Sequence, residues 1–127
     1  MARFVISPAA QQDQDIELIL ANSHERFGQP ARLRYEALLA RAILDVADDP
    51  ERIGSQSRPE IAPIARTYHL WHSRTRVEPP GVRVHRPRHF LLFRKCGEGP
   101  IEIGRVLHES MDLARHLPEG YRLSKPE

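Results

Sequence analysis

Apolar positions recur along this chain with two different periods, and the change of period divides it. Arg3 to Ile6 (RFVI) is β-branched and aromatic and stops at Ser7-Pro8, where Ser suits a helix cap and Pro a first helical turn. The pattern predicts a short strand running directly into a helix. Ile16, Ile19, Leu20 and Phe27 then share one helical stripe, Gln12, Asp13, Glu17 and Glu25 face away, and Gly28 closes the element. Pro30 restarts the chain, and Tyr35, Leu38, Leu39, Ala42, Ile43 and Val46 form a second stripe that ends before Asp49-Pro50. Two amphipathic helices joined by so short a break make an antiparallel hairpin.

Beyond Pro50 the period changes. Glu51 to Pro63 has little periodicity and reads as a connector, with a short helical turn at Pro59 to Ile64. Arg66 to Arg76 (RTYHLWHSRTR) alternates bulky and polar residues and predicts a strand. Val77 to Pro87 holds three prolines and a glycine, which suits an elongated loop or twisted edge hairpin. His89 to Arg94 and Ile101 to Leu107 flank the turn CGEGP and predict an antiparallel β-hairpin. The expected fold is α+β in the order β-α-α-β-β-β: an N-terminal strand, a helical hairpin, then a three-stranded antiparallel sheet with a short C-terminal tail. Residues 1–117 form one domain in this reading, and 118–127 a frayed tail.

Composition narrows the classes. A chain of 127 residues with 40% apolar and 28% charged positions is a globular domain, and at this length roughly 60 to 70% of the unfolded surface is buried without help from a cofactor. No apolar run approaches the ~20 residues of a membrane span, and the N-terminus turns polar too soon for a signal peptide, so a cytoplasmic location is expected. The single Cys96 supplies neither an internal disulfide nor a structural zinc site and reads as an incidental thiol.

Charge matters by position. Nineteen bases against seventeen acids give only +2, yet Ala9 to Asp49 is acidic, whereas Arg66 to Lys95 carries eight bases and four histidines against Glu78 alone. That run suits phosphates or an acidic protein segment equally, and a solvated charged hairpin is the plainer alternative. His69-x-x-His72 and His85-x-x-x-His89 lack a third ligand at metal spacing, and no metal is expected. His108, Asp112 and His116 would align on one helical face, where hydrogen bonding and capping outweigh acid–base chemistry. Trp71 among cations could stack a base, anchor a protein interface or lie partly in the core.

Several phrases together resemble the ParE branch of the RelE/ParE superfamily of bacterial toxins. These are FVISPAAQQDQDIELI, the ERFG turn at Glu25 to Gly28, the strand Arg88 to Arg94, and above all IEIGRVLHESMDLARHL at 101–117. The resemblance implies a RelE/ParE-like fold and a toxin that inhibits DNA gyrase by binding, without catalysis or cofactor. It also implies a ParD-like antitoxin whose disordered segment folds onto the helical hairpin and sheet edge, a toxin–antitoxin hetero-oligomer, and contact with DNA only through gyrase or the antitoxin. Candidate antitoxin contacts are then Ile19, Leu20, Leu39, Arg66, Trp71, Arg74, Arg88 and Arg94. The closing motif makes Arg105, His108, Met111, Asp112, Arg115 and His116 the candidates for target binding. A RelE-like, ribosome-dependent mRNA endonuclease using Arg94, Lys95, Arg105, Tyr121 and Arg122 is the alternative on the same fold, and an inactive homologue retained as a binding partner is a third. Residues 66–87 exceed the family pattern and suggest an insertion. The tail after Leu117, with Tyr121, Arg122 and Lys125, exceeds it too.

Overall fold

The computed structural model describes residues 3–95, 97–118 and 121. Cys96, Arg122 and Lys125, each given a reading from sequence, lie outside the described residues. The chain builds a five-stranded sheet in the order β1-β5-β4-β3-β2, from β1 (Phe4–Ile6), β2 (Ser55–Ser57), β3 (Arg66–His69), β4 (His89–Lys95) and β5 (Ile101–His108). Helices α1 (Pro8–Gln12), α2 (Asp15–Phe27) and α3 (Gln29–Asp48) follow β1. The α+β order and the β4–β5 hairpin are as expected; the sheet is wider and mixed. β1 adds in parallel to β5 through Phe4↔Ile101 and Ile6↔Ile103, and the polar segment SQS, within the expected connector, pairs with β3 as a second edge.

The helices cover one face. Leu20, Leu38, Leu39, Ala42, Ile43 and Val46 pack against Tyr68, Leu91, Phe93, Ile101, Ile103 and Val106. Strand geometry alone would send Ile103 and Val106 to opposite faces, but the β4–β5 register passes from Leu92↔Arg105 to Phe93↔Ile103, which leaves Gly104 as an extra residue. That bulge returns Val106 to the helical side. It also receives the start of the first helix: the Ser7 hydroxyl donates to the Gly104 carbonyl at 2.6 Å while accepting the Ala10 N–H at 3.0 Å. Satisfying an orphan helix donor and a bulged carbonyl with one hydroxyl fixes the strand-to-helix entry.

Three expectations change. The expected single helix from Pro8 is broken, with Gln14 in the left-handed region at φ 53°, so that Asp15 begins a new helix facing β5. The expected strand 66–76 ends at His69, and Leu70–Arg76 is a 3-10 helix whose Leu70 and Ser73 are buried. The far face of the sheet is covered as well. Leu92 and Leu107 pack there with Ala62 and Ala65 of the connector and with Leu113 and Tyr121. Tyr121, placed by sequence in a frayed tail, is buried; a Cβ on Gly104 would stand 2.5 Å from its hydroxyl oxygen, so close approach demands glycine there.

Candidate functional site

Asp45 shapes the first surface. It lies on α3 among Ala42, Ile43 and Val46, with its side chain only 1% exposed, and it draws in the Ser73 hydroxyl at 2.6 Å, Arg52 at 2.8 Å, Arg76 at 3.0 Å and Arg41 at 3.1 Å. Burial alone would raise its carboxyl pKa, but the Ser73 hydroxyl and three guanidiniums outweigh burial and hold it below the ordinary value. The 3-10 segment is thereby tied to the helix. Three residues per turn then set Trp71 and Arg74 one above the other, with the guanidinium 3.6 Å from the indole centroid and bonded to the Trp71 carbonyl at 2.9 Å.

Beside them lies an ion-pair bridge. Glu109 accepts from His69 Nε2 at 2.9 Å and from Arg88 at 2.8 Å, bonds that pull its carboxyl down to about 2. His69 in turn caps the 3-10 segment by accepting the Trp71 N–H at 3.0 Å. Trp71, Arg74, His69, His85, Arg86 and Arg88 line a hollow of about 590 Å³ in which Glu109 is the lone carboxylate among the described residues. Across the strap of residues 85–88 a second hollow of about 560 Å³ opens between the strap and the helical hairpin. Its floor holds Tyr35, whose hydroxyl accepts the Arg88 N–H at 3.0 Å and shares a hydrogen bond of 2.7 Å with His89 Nδ1. Burial pushes Tyr35 up to about 12. Burial and the nearby His108 push His89 down to about 4, which keeps it neutral at neutral pH.

The third surface is apolar. Phe4, Ile6, Ile16, Leu20, Leu39 and Ile43 are among the residues of a groove of about 350 Å³ between the helical hairpin and β1, which is an edge strand with one side unpaired.

The residues singled out from sequence separate accordingly. Trp71, Arg74 and Arg88 meet at one hollow, with Ile19 on the wall of its neighbour. Leu20 and Leu39 are 5% and 2% exposed, core residues that form the floor of the apolar groove. Arg66 and Arg94 are engaged internally: Arg66 bonds Ser55 Oγ at 2.9 Å, and Arg94 pairs with Glu102 at 2.9 Å and lies over the Tyr121 ring. Arg105 is a strut. It grips Asp15 at 2.8 and 2.9 Å, reaches Asp13 at 3.2 Å, and bonds the His116 carbonyl at 3.4 Å. Met111, Asp112 and Arg115 are exposed on the turn and 3-10 helix after β5, and His108 accepts the Ser110 N–H at 3.1 Å. Because this segment is not an α-helix, the fourfold spacing of His108, Asp112 and His116 does not align them. His72 packs on Tyr68 while His69 goes to Glu109, and among the described residues no three metal-ligating side chains converge. Sequence reasoning missed Asp45, Glu109 and Tyr35. An acid inside an apolar stripe was the one available signal, for Asp45.

Residues 4–113 match the family described as "ParE toxin of type II toxin-antitoxin system, parDE". The chain is also 33% identical, over 116 residues, to the proteins named Toxin ParE1 from two strains of Mycobacterium tuberculosis, covering 91% of this chain and 98% of theirs.

Proposed function

Since this chain belongs to the ParE toxin family of type II toxin–antitoxin systems, we propose that it inhibits DNA gyrase by binding and is neutralised by a ParD-like antitoxin in the cytoplasm. The observation that carries the antitoxin half is the apolar groove beside the unpaired edge of β1. A segment that folds on contact gains backbone hydrogen bonds from an open strand and burial from an adjacent groove, which together offset the cost of ordering it. Phe4 and Leu44 are each 38% exposed there and supply apolar surface at the rim above Leu20 and Leu39. Ile19, Trp71, Arg74 and Arg88 lie away from that groove; a long antitoxin segment would reach them by continuing across the helical hairpin. The resulting assembly is a toxin–antitoxin hetero-oligomer.

Binding rather than bond-breaking is the reading the side chains favour. Arg105 and Tyr121, central to the ribonuclease alternative, serve the fold: one is committed to Asp13 and Asp15, the other is buried on the far face. For the target we assign the exposed Met111, Asp112 and Arg115 with neighbouring His108 and His116, held from beneath by the Arg105 bond to the His116 carbonyl. The test is a plasmid supercoiling and cleavage assay with purified gyrase. Inhibition with trapped linear DNA, relieved by the antitoxin encoded alongside, is the expected result. Gyrase unaffected by excess toxin would overturn the target.

A further inference from the structure

The two hollows flanking residues 85–88 share His85, Arg86 and Arg88, so they form one continuous surface. Arg26, Arg34, Arg83, Arg86 and Arg88 line the second hollow, and among the described residues no carboxylate does. Arg83 and Arg88 are neutralised by Glu78 and Glu109. Arg26, Arg34 and Arg86 have no carboxylate partner among the described residues, although the chain carries seventeen acids. Three unpaired guanidiniums around one cleft repel one another, and an anionic ligand relieves that cost. Within the other hollow, Trp71 is 47% exposed while stacked on Arg74, which adds a flat aromatic and guanidinium platform.

From this juxtaposition we propose that the surface binds single-stranded nucleic acid directly, phosphates seated at Arg26, Arg34 and Arg86 and a base stacked at Trp71. This goes beyond the indirect contact with DNA that family resemblance implies and does not depend on gyrase as target. Single strands are held by cationic grooves that follow the backbone and by side chains that stack bases, aromatic rings and Arg planes alike. An acidic peptide would satisfy the guanidiniums, whereas every nucleotide joins an anion to a planar base, the combination that a cationic cleft beside the Trp71 platform matches. A duplex would offer phosphates, yet its bases are stacked inside and beyond reach of an indole set in a hollow. His69, His72 and His85 line the Trp71 hollow and extend the planar surface. Asp45 and Ser73 keep the 3-10 segment in place, so the platform is formed before ligand arrives.

Trp71 is the only tryptophan in the chain and therefore reports on its own site. Full-length protein is titrated with a twelve-nucleotide oligothymidylate, and in parallel with polyglutamate of equal charge and with a duplex of equal length. The expected result is quenching of indole fluorescence by the single strand alone, with binding that weakens with salt along a logarithmic slope of about −2, as for three neutralised phosphates. Arg34→Ser with Arg86→Ser should weaken binding at least about tenfold, read by anisotropy of a labelled oligonucleotide, and leave the thermal unfolding midpoint unchanged because neither residue has an ion-pair partner to lose. Trp71→Leu should weaken it by about fivefold to a hundredfold. No binding at 50 mM salt, equal binding and quenching by polyglutamate, tighter binding of the duplex, or an unaltered Arg34→Ser/Arg86→Ser variant would each overturn the proposal.

Discussion

Arg105 and Asp15, ninety positions apart, meet through two hydrogen bonds of 2.8 and 2.9 Å, and the same carboxylate accepts the Val106 N–H at 2.9 Å. One acid thus joins the first turn of α2 to β5. The hydrogen bonds it donates to Asp15, against the opposing effect of burial, hold the Arg105 guanidinium above its ordinary pKa. Asp15→Ala leaves a cation 13% exposed without its main partner and is expected to cost about 3 to 5 kcal/mol. Arg105→Ala should cost a similar amount. Denaturant unfolding measures both, and loss of toxicity in either variant should track loss of folded protein, whereas a catalytic Arg105 would lose activity at full stability.

Asp45 makes a second strut with a local consequence. Asp45→Asn keeps the shape but removes the charge facing Arg41, Arg52 and Arg76, and an expected cost of about 2 to 4 kcal/mol follows from leaving three cations around a neutral group. Amide protection should fall first in Leu70–Arg76, and Trp71 emission should shift as its platform loosens. Uniform loss of protection across the sheet, with this segment no weaker than the rest, would contradict the assignment.

Acid should weaken the fold in two separable windows. His89 titrates near 6.5 in the unfolded chain and near 4 when folded, so between those values the unfolded chain carries the extra proton. Its contribution is complete above pH 6.5 and disappears as pH falls toward 4, by about 2 kcal/mol once partial exposure is discounted. Glu109, held down to about 2 from 4.5, loses its contribution only below pH 4.5. Urea unfolding at half-unit steps should show the upper window flattened in His89→Gln and retained in Glu109→Gln.

The groove beside β1 carries the antitoxin prediction. Phe4→Glu places a charge at a 38% exposed rim position and should weaken antitoxin binding at least about tenfold while altering stability by less than about 1 kcal/mol. Calorimetric titration with the antitoxin checks it. Unchanged affinity would move the docking surface elsewhere.

Much of this molecule was legible from periodicity: the helical stripes of α2 and α3, the β4–β5 hairpin and the α+β order each rest on local pattern. Elements decided by distant partners were not. SQS has no apolar alternation and becomes a strand only because β3 offers an edge, and RTYHLWHSR leaves the sheet because Ser73 has Asp45 to reach. The break at Gln14 serves Asp15, whose partners lie ninety residues away. Basic residues posed the same problem: nothing local distinguishes Arg66, Arg94 and Arg105, which serve the fold, from Arg26, Arg34 and Arg86, which line a hollow with no acid partner among the described residues.

The parallel pairing of Phe4 with Ile101, and of the Ser7 hydroxyl with Gly104, sets the order in which the chain can mature during synthesis. β1 has no partner strand to join until β5 follows it out of the ribosome, so its apolar residues wait while the intervening residues are made. A chain interrupted before residue 101 lacks the neighbour that holds this edge and cannot present the groove beside it. Recognition of the finished edge would therefore distinguish completed toxin from nascent fragments, and an inhibitor reading that edge would spend itself only on molecules able to act.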